Sequence, residues 1–403
     1  MRKIIIALIY LSPFLLSCNA QKNSSVVAEI NPFNYTSSKK VIAENGAVVS
    51  AHPLASKVGV VILKMGGNAV DAAIATQLAL AVVYPVAGNI GGGGFLVGRL
   101  SNGELISIDY REKAPGAATR DMYIDETGKA RTDLSQNGHL AGGVPGTVSG
   151  LFTSHQYAKL SFEKLIQPAI DLAEKGFAIT SGEARSFNSI QENLKKYNSV
   201  MPAFVKQIAW KEGDTLIQTD LANTLKRIQK NGAAGFYEGE TANLIVAEMK
   251  RGNGIISLGD LKNYKAKPRT PQTFNYKGYK IVGMGMPSSG GLLMAQMMKM
   301  IEGRGIDKMG FHSVQAVQLM TEVQRRAYAD RAEYMGDADH YNVPVEMLAS
   351  DKYLKERMKS YKSDKATPST EIKPRIDIDV ESEETTHLSV IDKEGNAISV
   401  TTT

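Results

Sequence analysis

The sequence predicts a mixed α/β protein of the α+β kind, in which short strands and amphipathic helices share one large core. Apolar and polar residues alternate in several short segments, whereas apolar residues recur with helical spacing in longer ones. The composition is that of a globular protein, because 43% of the residues are hydrophobic and 22% are charged. A chain of 403 residues with this composition can form a large core or two closely packed lobes.

These patterns place the elements along the chain. Strands are predicted over residues 41–49, 95–99, 105–110, 276–283, 387–390 and 397–401. Helices are predicted over residues 53–65, 69–83, 161–175, 220–229, 241–251, 292–301 and 313–331. The helix over residues 69–83 carries no charge after Asp71, which indicates burial on most of its faces, and Asn68 is its predicted N-cap.

Four consecutive glycines, residues 91–94, follow this helix. Glycine allows close approach of the backbone to a neighbour. One interpretation is a tight loop beside a substrate or beside a cleaved threonine, and the other is close packing between a helix and a sheet. A phosphate cradle is disfavoured, because no Gly-Lys-Ser/Thr follows and the segment leads into a strand.

The N-terminus has the features of an export signal. Arg2 and Lys3 precede an apolar run that is too short to span a bilayer, so residues 1–17 are predicted to be a signal peptide. The run ends in Leu15-Leu16-Ser17-Cys18, which resembles a bacterial lipoprotein box with Cys18 as the lipidated residue. Residues 18–38 are then a flexible, lipid-anchored tether, and the protein is exported to the periplasm or cell envelope. The alternative is an ordinary secretory peptide with an incidental cysteine.

Composition also excludes some classes of function. Cys18 is the single cysteine, so an intramolecular disulfide and a CxxC redox or zinc site are excluded. The net charge is +6, and no basic stripe with interleaved aromatic residues is present, which argues against nucleic-acid binding.

The most informative junction lies between Glu384 and Thr385. Residues 363–384 are rich in acids and contain two prolines, as is typical of an exposed linker, and a strand pattern begins directly after Thr385. Cleavage of this bond would give Thr385 a free α-amine beside its hydroxyl. Such an amine, with a pKa of about 7.7–8.0, can serve as general base for the hydroxyl. Thr385 is therefore the candidate nucleophile of a self-cleaving precursor.

Other polar residues allow two interpretations. Arg111 follows a strand, where it is either a surface charge or a rigidly held clamp for a carboxylate. His387 shares the face of Thr385 on the predicted strand, but we interpret it as structural. Ser288 and Ser289 either cap the next helix or line a site, and capping is the default. Glu322, Arg325 and Arg326 are interpreted as a salt-bridged helix face.

Seven ordered motifs together resemble the γ-glutamyltranspeptidase family, also called glutathione hydrolases. They are Gly66-Gly67-Asn68-Ala69-Val70-Asp71-Ala72-Ala73, Ala87-Gly88-Asn89-Ile90-Gly91-Gly92-Gly93-Gly94-Phe95, Asp109-Tyr110-Arg111-Glu112, Pro145-Gly146-Thr147-Val148, Pro287-Ser288-Ser289-Gly290-Gly291, Tyr328-Ala329-Asp330-Arg331 and Thr385-Thr386-His387. Their order and spacing match from about residue 40 onward.

The resemblance implies an N-terminal-nucleophile hydrolase fold, an αββα sandwich of two stacked sheets between helical layers. It implies autocleavage at Glu384–Thr385, which yields a large subunit from residues 39–384 and the start of a small subunit in residues 385–403. Thr385 would attack a γ-glutamyl amide of glutathione or a related compound and pass the acyl group to water, an amino acid or a dipeptide. Arg111 would clamp the substrate α-carboxylate, and Thr403 would hydrogen-bond the nucleophile. No metal or organic cofactor is implied.

Family members continue beyond the position of Thr403, so the resemblance implies an incomplete sandwich that lacks most of the small subunit. We interpret the sequence as a fragment of a longer enzyme. The alternatives are a large-subunit fragment that needs a separate small-subunit chain, or a non-catalytic lipoprotein remnant. An acylase or a poly-γ-glutamate-cleaving enzyme on the same scaffold is a further alternative, although Arg111 favours a substrate with a free α-carboxylate.

Overall fold

A computed structural model describes residues 30–198, 200–372 and 385–403 of the chain. The strands are β1 Gly46–Val49, β2 Gly94–Arg99, β3 Leu105–Asp109, β4 Phe177–Ala178, β5 Thr215–Leu216, β6 Lys267–Pro268, β7 Gln272–Tyr276, β8 Tyr279–Gly283, β9 Thr386–Asp392 and β10 Ala397–Thr402. The helices are α1 Pro53–Lys64, α2 Ala69–Val83, α3 Thr132–Gln136, α4 Thr147–His155, α5 Phe162–Lys175, α6 Ser181–Tyr197, α7 Thr219–Asn231, α8 Ala234–Tyr237, α9 Gly239–Arg251, α10 Leu258–Asn263, α11 Gly290–Ile301, α12 Val314–Tyr334, α13 Val345–Ala349 and α14 Asp351–Arg357. The predicted mixed α/β class is confirmed.

A six-stranded antiparallel sheet organises the first lobe. Its order is β1-β9-β10-β2-β3-β6, so the C-terminal hairpin β9–β10 lies between β1 and β2. Because side chains alternate along a strand, Leu388, Val390, Ile398 and Val400 point to one face and are almost fully buried against the helices. The opposite face of the sheet is open to a large cavity. Within the described residues this gives one large sheet with helices on one side.

Helix α2 lies under this sheet, and all fifteen of its residues are buried. Its lack of charge, noted in the sequence, is explained because it packs against α1, α5 and the hairpin strands at once. Each buried Leu or Ile in such a helix contributes about 1.5–3 kcal/mol. Asn68 caps α2 as predicted, in a capping box with Asp71.

The β9–β10 hairpin is fixed to α2 at two points. At the turn, Asp392 Oδ2 accepts hydrogen bonds from Ala69 N at 2.8 Å and from Asn396 Nδ2 at 2.7 Å, so a carboxylate sits at the positive end of α2. At the other end of the hairpin, Gln77 Nε2 of α2 donates to Thr402 Oγ1 at 3.5 Å. The strand ends beside Thr385 and Thr403 are therefore held by a helix whose residues are all buried.

A second lobe is formed by the β7–β8 hairpin and helices α11 to α14, around a smaller core that includes Leu293, Leu319 and Val323. The interpretation of Glu322, Arg325 and Arg326 as a salt-bridged helix face is confirmed. Both ion pairs to Glu322 form, but Glu322 and Arg326 are each only 1% exposed. They bind the first part of the predicted linker, since Glu322 Oε1 accepts from Thr367 N at 2.9 Å. Thr367 and Ile372 are buried, so the prediction that residues 363–384 are exposed is wrong for these two positions.

Some predicted boundaries also need correction. The strand predicted over residues 276–283 begins only at Tyr279, as β8, because Lys277 and Gly278 form a tight turn with positive φ. This turn joins β8 to β7, which was not predicted. The first strand begins at Gly46 rather than at residue 41. Of the predicted tether, the described part is packed at its start: Ile30 is 3% exposed and Tyr35 donates to Ala178 O at 2.6 Å. In the portion of the chain that is described, no helix has the length and apolarity to cross a membrane.

Candidate active site

The C-terminal hairpin places the two predicted catalytic threonines side by side. Thr402 pairs with Thr386 in the β9–β10 register, so Thr403 and Thr385 face each other one residue further along. Their hydroxyl oxygens are 2.9 Å apart and hydrogen-bonded. Thr386 and Thr402 point into the core, whereas Thr385 and Thr403 are exposed on the open face of the sheet. The alternation of the two strands thus brings both hydroxyls to the cavity.

The glycine loop lies directly against Thr403. Gly93 N donates to Thr403 O at 3.0 Å, and Thr403 N donates to Gly93 O at 3.2 Å. A side chain at Gly92 would meet Thr403 O at 2.0 Å, and one at Gly94 would meet Thr401 O at 2.4 Å. Close backbone approach therefore requires glycine at both positions. This arrangement fits the first of the two interpretations of residues 91–94, which is a tight loop at the candidate site.

A network of hydrogen bonds between polar side chains joins the glycine loop to β10 and α4. Thr402 Oγ1 donates to Gly93 O at 2.8 Å and accepts from Asn89 Nδ2 at 3.3 Å. Asn89 Oδ1 in turn accepts from Gly92 N at 2.8 Å and from Thr147 Oγ1 at 2.9 Å. Two of the sequence motifs, residues 87–95 and 145–148, thus meet Thr402 of β10 in this network.

Arg111 stands at the wall of the same cavity, just after β3. Its main chain is fixed, because Tyr264 Oη donates to Arg111 O at 2.7 Å and Arg111 N donates to Asp109 Oδ1 at 3.0 Å. Among the described residues, its guanidinium makes no hydrogen bond or ion pair, and it is exposed to the cavity. A cation held on a rigid element without a partner is suited to bind an anionic group of a ligand.

The cavity has a volume of about 1350 Å³ and lies between the open face of the sheet and the second lobe. Thr385, Thr403 and Arg111 all line it. Its charged side chains are mostly basic: Arg99, Arg111, Lys113, Lys265, Lys267, Arg269 and Arg331 against Asp109, Glu112, Asp337 and Asp339. An excess of positive charge favours a substrate that carries carboxylates.

His387 lies on the same face as Thr385, as the alternation predicted. Its Nδ1 is 2.9 Å from Thr401 Oγ1 and its Nε2 is 3.1 Å from Ser389 Oγ. Partial burial lowers the pKa of the imidazole below its ordinary value, so the ring is neutral at pH 7. Both ring nitrogens are occupied by neighbouring hydroxyls, which agrees with a structural role.

The serines before α11 do not follow the default interpretation. Ser289 occupies the N-cap position but makes no capping hydrogen bond; its hydroxyl instead accepts from Arg331 Nε at 3.1 Å. Ser288 and Ser289 both line the cavity. The capping prediction is therefore wrong for Ser289. The reason is that the αR backbone of Ser289 does not direct its side chain at the free amides of the helix.

Sequence reasoning missed three residues that the cavity wall uses, Asp109, Arg269 and Asp339, which form a chain of ion pairs beside Arg111. The other predicted residues, Cys18 and Glu384, lie outside the described residues. In the described part of the chain, no cluster of three or more metal-ligating side chains is present.

Comparison with known proteins identifies the family. The family model for Gamma-glutamyltranspeptidase matches residues 55–403. The chain belongs to the gamma-glutamyltranspeptidase family. It is 44% identical over 373 residues to the glutathione hydrolase proenzyme of Escherichia coli strain K12, covering 90% of this chain and 63% of that protein. It is 36% identical over 379 residues to the acylase ACY 1 proenzyme of Pseudomonas sp. strain V22, covering 92% of this chain and 67% of that protein.

The fold agrees with this assignment. The crystal structure of Helicobacter pylori gamma-glutamyltranspeptidase superposes with a TM-score of 0.80 at 44% identity, covering 83% of this chain and 97% of that chain. The chain spans less than two thirds of the length of the curated glutathione hydrolase proenzymes that it matches, including that of Escherichia coli. The resemblance stated from the seven motifs is confirmed at the level of the family.

Proposed function

We propose that this gamma-glutamyltranspeptidase chain carries the nucleophile and the carboxylate anchor of a γ-glutamyl hydrolase and transferase that acts on glutathione and related compounds. The observation that carries the proposal is the 2.9 Å hydrogen bond between the hydroxyls of Thr385 and Thr403, on the wall of a cavity that also holds Arg111. One cavity wall therefore holds the candidate nucleophile Thr385, its hydrogen-bonding partner Thr403, and Arg111, whose guanidinium has no ion-pair partner among the described residues.

Maturation begins at the bond before Thr385. Thr385 Oγ attacks the carbonyl carbon of residue 384, the peptide C–N bond breaks, and the peptide nitrogen takes the proton as the ester forms. Water then hydrolyses this ester and leaves Thr385 with a free α-amine and a free hydroxyl. The hydrogen bond to Thr403 orients the hydroxyl for both this step and the catalytic cycle.

In catalysis the free amine of Thr385 accepts the hydroxyl proton while Oγ attacks the γ-carbonyl carbon of the substrate. The tetrahedral intermediate collapses, the amide C–N bond breaks, and the departing amine takes the proton. A γ-glutamyl ester on Thr385 remains. Water releases glutamate from this ester, whereas the amine of an amino acid or dipeptide forms a new γ-glutamyl amide. In both cases the Thr385 oxygen regains a proton.

Arg111 supplies specificity in this proposal. Its free guanidinium can pair with the α-carboxylate of the γ-glutamyl group in a bidentate manner. The matched Pseudomonas acylase keeps an acylase reaction open as an alternative on the same scaffold. A poly-γ-glutamate chain is a further candidate, since it repeats the γ-glutamyl unit. The unpaired cation favours both γ-glutamyl substrates over an acylase substrate without that carboxylate.

The test is hydrolysis of γ-glutamyl-p-nitroanilide by the purified full-length protein, monitored through the release of p-nitroaniline. We expect turnover by the wild type and none by Thr385→Ala. Thr385→Ser should retain turnover at a reduced rate, because serine keeps the hydroxyl but is not the native side chain. Equal turnover by Thr385→Ala would remove Thr385 from the mechanism. Turnover of a neutral acyl anilide in preference to the γ-glutamyl one would favour the acylase alternative.

We also propose that the chain is exported and anchored to the cell envelope through a lipid on Cys18. The support is the sequence alone: the basic and apolar start of the chain followed by Leu15-Leu16-Ser17-Cys18. Labelling with an alkyne fatty acid in a bacterial host tests it. Wild type should take up the label and fractionate with membranes, whereas Cys18→Ala should do neither.

A further inference from the structure

The position of Arg111 depends on a buried carboxylate two residues earlier. Asp109 is the last residue of β3 and is only 8% exposed. Its Oδ1 accepts the hydrogen bond from Arg111 N at 3.0 Å. Its Oδ2 accepts two hydrogen bonds from Arg269, from Nε at 3.0 Å and from Nη2 at 2.8 Å. One carboxylate therefore holds the backbone of the cavity arginine and is itself held by a second arginine.

The chain of charges continues into the second lobe. Arg269 Nη1 and Nη2 donate to the two oxygens of Asp339, at 2.7 and 2.9 Å, and Lys267 Nζ also donates to Asp339 at 2.7 Å. Asp339 lies after α12, in a loop that lines the cavity. The hydrogen bonds from Arg269 and Lys267 hold the pKa of Asp339 well below its ordinary value, so this carboxylate is ionised at pH 7. The strand that leads to Arg111 is thus tied to the opposite wall of the cavity.

We propose that Asp109 is the positioning residue for Arg111 and that Arg269 and Asp339 hold Asp109 in place. These three residues, called the relay below, thereby set the affinity of the site for the substrate α-carboxylate. The inference rests on the proposed function, in which Arg111 binds that carboxylate. Asp109, Arg269 and Asp339 do not contact the reacting atoms in this account. They act on binding through the backbone of Arg111 and through the electrostatics of the cavity wall.

The chemistry of the relay explains why each member must keep its charge and shape. Arg269 presents a rigid fork of donors, which matches two carboxylates at once and which a lysine cannot reproduce. Asparagine at position 109 can still accept from Arg111 N, but it offers no negative charge to Arg269. Arg269, whose side chain is 16% exposed, would then keep Asp339 as an anionic partner but lose the charged one that joins it to Arg111. We expect this change to shift the Arg111 guanidinium and to lower its affinity for a carboxylate.

The test compares two substrates with purified, processed protein: γ-glutamyl-p-nitroanilide and its analogue with an α-carboxamide in place of the α-carboxylate. For Asp109→Asn we expect KM for the carboxylate substrate to rise roughly tenfold with kcat nearly unchanged, because a positioning group has moved. KM for the carboxamide should change by less than about threefold, because Arg111 binds it weakly in any case. In an Arg111→Ala background, Asp109→Asn should have no further effect on KM for the carboxylate substrate.

Asp330→Asn is the matched control. Asp330 is also buried and paired with an arginine, Arg357 at 3.1 Å, but it does not line the cavity. This variant should lower the melting temperature without changing the preference between the two substrates. Arg269→Lys, which keeps a positive charge but not the fork, should reproduce the KM effect of Asp109→Asn, and it decides the question if Asp109→Asn does not fold.

Three results would overturn the inference. These are an equal rise of KM for both substrates, a full effect of Asp109→Asn in the Arg111→Ala background, and an identical effect of Asp330→Asn. If the wild type itself does not prefer the carboxylate substrate, the role proposed for Arg111 fails and this inference fails with it. The other case is that the wild type prefers the carboxylate substrate while Asp109→Asn and Arg269→Lys both behave as wild type. The proposed function then stands, and only the relay is refuted.

Discussion

Gly92 offers the sharpest structural test of the candidate site, because an added methyl group would collide with the backbone that positions Thr403. A Cβ at Gly92 would lie 2.0 Å from Thr403 O and 2.8 Å from Asn89 Oδ1. Ordinary contact begins near 3.4 Å, so in Gly92→Ala the loop and the end of β10 must separate by about 1.4 Å. The substitution is small in volume, but the nearest neighbour is a backbone oxygen, and Asn89 Oδ1 is held by hydrogen bonds from Gly92 N and Thr147 Oγ1.

The consequence can be worked from the contacts that such a shift removes. The two backbone hydrogen bonds between Gly93 and Thr403 would be lost or stretched, at about 0.5–1.5 kcal/mol each. Thr403 Oγ1 would also move out of reach of Thr385 Oγ1, which is now 2.9 Å away. A displacement of this size at a positioning group costs on the order of a hundredfold in rate. We therefore expect Gly92→Ala to fold with reduced stability and to cleave before Thr385 about a hundred times more slowly than wild type.

The assay is the time course of self-cleavage on a denaturing gel, started from freshly purified precursor. Gly91→Ala is the matched control, because a Cβ there meets no atom within 4 Å. Gly91→Ala should cleave at the wild-type rate. Wild-type cleavage by Gly92→Ala, or an equal loss in both variants, would refute the claim that the loop sets the position of Thr403.

Three further predictions concern the surroundings of the site. Thr402→Val keeps the volume but removes the hydroxyl that bonds Gly93, Asn89 and Gln77, so urea denaturation should show a free energy of unfolding lower by about 1–3 kcal/mol. Thr401→Val removes only the exposed hydrogen bond to His387 and should lower it by less than about 1 kcal/mol; an equal loss in both variants would contradict the role of Thr402. His387→Ala should keep self-cleavage and the pH profile of turnover, because the imidazole is not the base; a change in the acidic limb of that profile, where a general base loses its proton, would contradict this. Asp339 has a lowered pKa in the folded protein, so its contribution to stability is present above its unfolded pKa of about 3.9 and is lost as pH falls below it. Melting temperatures of Asp339→Asn should therefore fall less steeply than those of wild type between pH 5 and about 2.5, and parallel curves would show that Asp339 is not responsible.

Much of the candidate site could be predicted from the sequence because its signals are local. The Thr385 junction combines a turn-rich linker with an abrupt strand pattern, and alternation along the strand correctly placed His387 on its face. The glycine run predicted a close approach of the backbone, and the lack of charge after Asp71 predicted burial on most faces of the helix over residues 69–83. Each of these depends on residues within a few positions of one another.

The features that the sequence did not predict depend on distant residues or on geometry that residue type does not encode. Asp109 meets Arg269, 160 positions later, and nothing in either local pattern indicates the pair. Glu322 and Arg326 have the spacing of a surface ion pair, but the segment around Thr367 covers them. The turn at Lys277 and Gly278 lacks the Asn-Gly or Asp-Gly pair that marks many such hairpins, so the sequence indicates neither the turn nor the strand β7 before it.

The central claim is that Thr385, freed by cleavage before it, forms the γ-glutamyl ester. The most direct measurement is mass spectrometry of the purified protein, quenched in acid during turnover of γ-glutamyl-p-nitroanilide and then digested. The account predicts a peptide that begins at Thr385 and carries the added mass of one glutamyl group as an acid-stable, base-labile ester on that residue. An intact bond before Thr385 in an active protein, or a glutamyl group on any other side chain, would contradict it.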